Sequence, residues 1–445
     1  MLLIIILSIS ILFIIASSTK LKLHPFLALL FAAIGFGLLT GMPLSKIVQS
    51  INTGFGGTIG YIGIVIIAGT IIGTFLEYSG AAYSLADRIL RWIGEKRVPL
   101  AMSIIGYFVS IPVFADSGFV ILSPLNKALT KRANISLAGS AIALSMGLVA
   151  THCLVPPTPG PIAAAGILDA DLGLVILLGL PISLLALING WLFSIMYAAK
   201  IQIDPNPEVT EKDIELTMKQ APSVLNAIAP ILIPILLIIL RSVSEFPTNP
   251  LGEGLLKTFF GFIGEPVIAL LFGVLLAFAL PKKLEKTMLA DSGWVGKGLR
   301  NAAIIIMITG AGGAFGKVLQ NSALVDTIGS TLSEAKAGIW LPFIIAATIK
   351  TAQGSSTVAI ITTASILSPL LSSLGFTSEL ARALIVLSVG AGSMVTSHAN
   401  DSFFWVVTQM SRMDVKTGYK LQSLGTCILG ISAAIVIWII SIIVI

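Results

Sequence analysis

The sequence predicts an all-α polytopic membrane protein made of two inverted-topology repeats, each of five transmembrane helices plus one re-entrant helical hairpin. Three observations carry that prediction. Of the 445 residues, 56% are hydrophobic and only 11% are charged, against about 45–50% and about 25% in soluble proteins, and the mean hydropathy is +1.00. Ten apolar stretches come near the roughly 20 residues that cross a bilayer: 2–18, 25–40, 58–77, 137–152, 172–199, 223–241, 262–280, 300–319, 380–397 and 423–445. Polar interruptions of one kind recur in one order on both sides of a single long hydrophilic stretch, 200–222.

The first repeat is assigned to 1–199. Its opening stretch has no Lys or Arg before the apolar run and no small-residue cleavage site after it, so it is read as a membrane helix and not as a signal peptide. The apolar segment 98–130 is cut near its middle by ADSG (115–118), which leaves two arms too short to span. A re-entrant hairpin follows, because irregular backbone at membrane depth must be buried in protein or line a cavity. Residues 137–168 form a broken helix: Thr151 and His152 are followed by VPPTPGP (155–161), whose prolines cannot continue an ordinary helix. The stretch 200–222 is read as a cytoplasmic linker.

The second repeat, 223–445, repeats this order. Its hairpin, 338–374, is interrupted by KTAQGSST (350–357), and its broken helix, 380–409, by SHANDS (397–402). At a shift of 243, Gly69, Gly73, Leu76 and Ser79 fall on Gly312, Gly316, Leu319 and Ser322, and Leu144, Ser145 and Gly147 fall on Leu387, Ser388 and Gly390. Each half contributes five crossings, an odd number, so the halves are inverted relative to one another.

Charge orients the layout. Of the 27 Lys and Arg residues, twenty fall on one side, five on the other (Lys46, Arg241, Lys257, Lys336 and Arg382), and Lys317 and Lys350 remain at membrane depth. Acidic residues divide almost evenly. The positive-inside rule makes the twenty-residue side cytoplasmic and puts both termini outside. The net charge of +6 therefore reports orientation and is no footprint for nucleic acid. The two cysteines, Cys153 and Cys427, lie far apart in apolar stretches and offer neither a disulfide framework nor a Cys-based metal site.

Polar and ionisable groups at membrane depth are costly and mark function by default. The candidates for binding are Ser117 and Gly118 at the first hairpin tip, Thr151 and His152 in the first broken helix, Lys350, Gly354, Ser355, Ser356 and Thr357 at the second tip, and Ser397, His398 and Asn400 in the second broken helix. Asp116 and Asp401 are the candidates for coupling, since a carboxylate in a low-dielectric site can alternate between ionised and protonated forms. Helix N-termini and the Lys350 ammonium favour a small polar anion, and no large aromatic cage is apparent at the breaks. Structural roles compete with each assignment. The Ser, Thr and Gly residues suit tight helix packing, Asp116 or Asp401 could be ion-paired with Lys350, and the histidines could satisfy carbonyls freed by the helix breaks. Glu77 and Lys317, near helix ends, are left out of the site.

At these residues the chain resembles the gluconate permease family of gluconate:proton symporters, within the ion transporter superfamily. FADSGFVILSPL (114–125), THCLVPPTPGP (151–161) with DAD (169–171), GGAFGKVLQNS (312–322), KTAQGSSTVAIITTAS (350–365) and SHANDSFFWVV (397–407) are similar to the family's motifs, in order and over essentially the whole chain. The resemblance implies uptake of a sugar acid or a related small hydroxy- or amino-carboxylate across a bacterial inner membrane, driven by protons. It also implies an elevator-type motion, a homodimer, and no cofactor beyond the coupling ion. Lys350 stands where an Arg is expected, Thr158 where relatives often carry His, and Ser117 where they often carry an apolar residue. A shorter substrate such as glycerate or D-serine, and sodium as the coupling ion, stay open. An intramembrane enzyme using His152, His398 and Asp401 as metal ligands lacks any motif spacing, and a passive anion channel gives the buried carboxylates no task.

Overall fold

A computed structural model describes residues 2–94, 97–205, 221–244, 254–322, 338–399 and 401–444, and its regular elements among them are all helical. Most of the linker 200–222 lies outside the described residues. In the first half, α1 (Leu2–Thr19) and α2 (Pro25–Leu39) precede α3 (Leu44–Tyr78). Helix α2 starts on a proline, whose missing N–H is no loss in a first turn, and His24 accepts the Phe26 amide at 3.3 Å. Helix α3 runs for 35 residues and begins well before the expected 58–77. Gln49, Asn52, Thr53 and the glycines after them lower the hydropathy of its first part without breaking its helix, which bends by 45° near Tyr61. Helix α4 (Ala81–Ile93) leads to the first hairpin, α5 (Val98–Val109) and α6 (Ala115–Arg132). The first broken helix is α7 (Leu137–Leu154) plus α8 (Pro159–Ile167), and α9 (Leu172–Met196) closes the half.

The second half holds α10 (Val224–Ser244), α11 (Leu255–Ile263), α12 (Pro266–Ala277) and α13 (Trp294–Gln320). The expected span 262–280 is mostly α12, which α11 precedes at an angle of 63°. The second hairpin is α14 (Trp340–Gln353) plus α15 (Ser356–Leu367), and the second broken helix is α16 (Glu379–Met394) plus α17 (Ser402–Met410). A π-helical turn, Tyr419–Ser423, leads into α18 (Leu424–Val444). Each of the ten expected spans is helical over most of its length. Among the described residues five helices are long and apolar enough to cross a membrane, up to seven if each bent pair is one span.

Glycines set the close approaches. A Cβ on Gly54 would run into the Gly313 carbonyl, and one on Gly298 would lie 2.9 Å from Ile71 Cγ1, so α3 and α13 pack tightly and antiparallel. The hairpins then rest on broken helices. On α7, Gly147 abuts the Ser103 carbonyl of α5; on α16, Gly392 abuts the Phe343 carbonyl of α14. The returning arms cross over between the halves: α6 meets α17 through Phe119 and Phe403, with ring centroids 6.1 Å apart, and α15 meets α8 where a Cβ on Gly160 would lie 2.9 Å from Ile360 Cδ1. Arg382 ties α16 to the end of α8 by an ion pair of 2.5 Å to Asp169.

Candidate functional site

A cavity of about 100 Å3 lies where both hairpin tips and both broken helices meet. Phe114, Ala115 and Asp116 come from the first tip, Val149, His152 and Cys153 from α7, and Lys350, Ser355, Ser356 and Thr357 from the second tip. Met394, Ser397 and Asp401 come from the second helix break, Ser402 and Phe403 from α17, and Thr426 from α18. Three helices, α6, α15 and α17, open their N-termini onto it, so the positive ends of their dipoles face the space.

Its closed end is a buried ion pair. Lys350 and Asp401 are 2% and 5% exposed, and Lys350 Nζ lies 2.6 Å from Asp401 Oδ2. Lys350 also donates to the Gly354 carbonyl at 2.8 Å. That oxygen is presented because Gly354 caps α14 at φ 83°, in the left-handed region that glycine adopts without a steric penalty. Asp401 is bonded through both oxygens: Ser397 Oγ donates to Oδ2 at 2.5 Å, and the Phe403 amide donates to Oδ1 at 3.1 Å, which makes Asp401 the N-cap of α17. Ser397 is held in turn by α18 and the π turn before it, its amide donating to Thr426 Oγ1 at 3.0 Å and its carbonyl accepting from Ser423.

The other end is loosely bonded. Asp116 is half-buried, and Ser402, itself exposed, donates to its Oδ1 at 3.2 Å. His152 Nδ1 is buried and has no partner among the described residues, while the His152 ring lies 5.9 Å from that of Phe114.

Of the residues expected to bind, His152, Lys350, Ser355, Ser356, Thr357 and Ser397 line the cavity with Asp116 and Asp401. Five others do not. Ser117 lies outside the lining, beside Glu77 of α3, a residue set aside from sequence. Gly118 lets α6 approach α7, since a Cβ there would lie 2.7 Å from Leu148 Cδ2. Thr151 donates to the Tyr107 carbonyl at 2.9 Å, and Gly354 acts only through its carbonyl. His398 bonds the Thr351 carbonyl at 2.7 Å and stacks on Tyr419, so it satisfies a carbonyl near the end of α14 and does not join His152 in a common ligand set. Asn400 lies outside the described residues. Two phenylalanines, Phe114 and Phe403, line a space where no large aromatic cage was expected. Sequence reasoning also missed Ser402, although it ends the SHANDS run, and Thr426, which sits in an apolar span.

Membrane-length helices wrapped around a polar cavity, with helix breaks and hairpin tips for walls, define a multi-pass membrane transporter. The chain belongs to the GntP family permeases, whose sequence profile matches residues 1–443. It is 36% identical over 431 residues to a gluconate permease of Pseudomonas aeruginosa, covering 96% of this chain and 94% of that protein. It is 34% identical over 432 residues to the D-serine transporter DsdX of Escherichia coli, covering 96% and 95%. Its fold is similar to the crystal structure of the Alcanivorax borkumensis YdaH transporter, with a TM-score of 0.61 at 15% identity over 94% of this chain and 98% of that one.

Proposed function

We propose that this protein is a secondary active transporter that imports a small hydroxylated carboxylate, gluconate or a related sugar acid, across the bacterial inner membrane by proton symport. The observation that carries this reading is the cavity itself: one buried ammonium, Lys350, and three helix N-termini face a space ringed by Ser355, Ser356, Thr357, Ser397 and Ser402. A cation and amide dipoles suit a carboxylate, and hydroxyls suit a solute with hydroxyls of its own. The gluconate permease relative agrees with that substrate class. A shorter hydroxy- or amino-carboxylate is the second reading, favoured by the volume of about 100 Å3 and by the D-serine transporter relative.

Inverted repeats fit the antiparallel α3–α13 pair and the reciprocal packing of each returning arm on the other half's broken helix. An elevator motion of hairpins and broken helices against that pair, within a homodimer with both termini outside, completes the proposal. Uptake into proteoliposomes tests it. Labelled gluconate or glycerate is expected to accumulate under an inward proton gradient; accumulation under a sodium gradient alone would exchange the coupling ion, and none under either would refute symport.

A further inference from the structure

The site holds two carboxylates that the sequence treats as equals, in surroundings that differ at every contact. Asp401 is buried and bonded through both oxygens, to Lys350, Ser397 and the Phe403 amide. Protonating it would place a proton on an oxygen already receiving two donors or on the one that caps α17, and would leave Lys350 as an uncompensated buried cation. Asp116 is half-buried at the open end, with Ser402 as its hydrogen-bonding side chain. No Lys or Arg forms an ion pair with it among the described residues. Other charged and titratable groups face Asp116 from neighbouring elements: His152 and Cys153 from α7, Lys350 from α14 and Asp401 at the start of α17. Glu77 of α3 meets the adjacent Ser117, and α4 contributes Tyr83, whose hydroxyl is committed to the Ile121 carbonyl at 2.8 Å.

With His152 neutral, the lining carries one negative charge more than positive. An incoming carboxylate adds another in a low-dielectric space. We infer that the two carboxylates have separate tasks: Asp401 stays ionised as the permanent counter-ion of Lys350, while Asp116 takes up one proton with each substrate anion, so that loading is electroneutral. The inference rests on the symport reading and assigns its coupling site and stoichiometry. The step is a proton transfer alone: a carboxylate oxygen of Asp116 gains H+ from water at the open end, and the substrate carboxylate remains an anion beside Lys350.

Titration calorimetry of the purified protein with gluconate, and with glycerate as a second probe, counts protons when run in buffers of different ionisation enthalpy. About one proton is expected per bound anion between pH 7 and 8, with affinity falling roughly tenfold per pH unit. D116N is expected to bind with no proton uptake and with equal affinity at both pH values, and D116E to restore the uptake. D401N is expected to bind weakly and still take up a proton. In proteoliposomes, wild-type accumulation should follow the pH gradient and ignore an imposed potassium diffusion potential. Proton uptake persisting in D116N, which would implicate His152, or accumulation driven by potential alone, would overturn the assignment. If neither probe gives any binding heat with the wild-type protein, the carboxylate reading itself fails.

Discussion

The two hairpin tips share an architecture and differ in chemistry. Each packs its first arm on a broken helix through a glycine, Gly147 in one half and Gly392 in the other, and each sends its second arm against the opposite half. Yet the second tip is wired shut, with Lys350, Gly354, Asp401, Ser397, Ser423 and Thr426 forming one chain of hydrogen bonds. At the first tip Asp116 receives one side-chain hydrogen bond, 3.2 Å from Ser402 of α17, and His152 Nδ1 on nearby α7 has no partner among the described residues. Like packing with unlike polar groups separates two tasks: one tip is suited to hold charge in place, and the other to change its charge.

The largest effect is expected from breaking the closed tip. Lys350→Ala leaves Asp401 buried without its cation, which destabilises by about 3–5 kcal/mol and abolishes uptake. Replacing both partners with apolar residues, Lys350→Met with Asp401→Leu, should recover most of that stability in thermal unfolding and none of the transport. If Lys350→Ala unfolds at the wild-type temperature, the closed tip is not the rigid element it is taken to be. Ser397→Ala comes next. It removes a 2.5 Å charge-assisted bond to Asp401, worth about 1.5–3 kcal/mol, and should lower the melting temperature without altering proton stoichiometry.

Packing should respond alike in both halves. A Cβ on Gly147 would run into the Ser103 carbonyl, and one on Gly392 into the Phe343 carbonyl. Gly147→Ala and Gly392→Ala are each expected to cost about 1–3 kcal/mol by overpacking. Gly35→Ala, with no atom within 4 Å of the new Cβ, is the control without a clash. Unequal losses at Gly147 and Gly392 would mean that the two hairpins rest on their broken helices under different strain.

The breaks were legible in the sequence because lipid permits few alternatives: ADSG, VPPTPGP, KTAQGSST and SHANDS cannot face hydrocarbon, and each marks a hairpin tip or a broken helix. The facing of single side chains was not legible. A helix turns about 100° per residue, so Asp116 looks into the cavity while Ser117, one step on, stays out of its lining. Thr151 and His152 divide in the same way between the Tyr107 carbonyl and the cavity. Hydropathy also misjudged the start of α3, because Gln49, Asn52 and Thr53 are polar yet helical. Thr426 meets the Ser397 amide from inside α18, where one hydroxyl in an otherwise apolar span gives no signal of its own.

The smallest expected effect is also the sharpest comparison. Ser402→Ala removes the hydroxyl that donates to Asp116, as Ser397→Ala removes the one that donates to Asp401. The distances are 3.2 Å and 2.5 Å, and the first bond is exposed where the second is buried. Water can replace a donor at the open end, so Ser402→Ala should cost no more than about 0.5–1.5 kcal/mol, well below Ser397→Ala. Its effect should fall instead on protons. The Ser402 hydroxyl favours the ionised form of Asp116, so its loss makes the protonated form easier to reach, and uptake should persist to higher pH than in the wild type. A thermal loss as large as that of Ser397→Ala, with an unchanged pH profile, would make the first tip as structural as the second and remove the asymmetry between them.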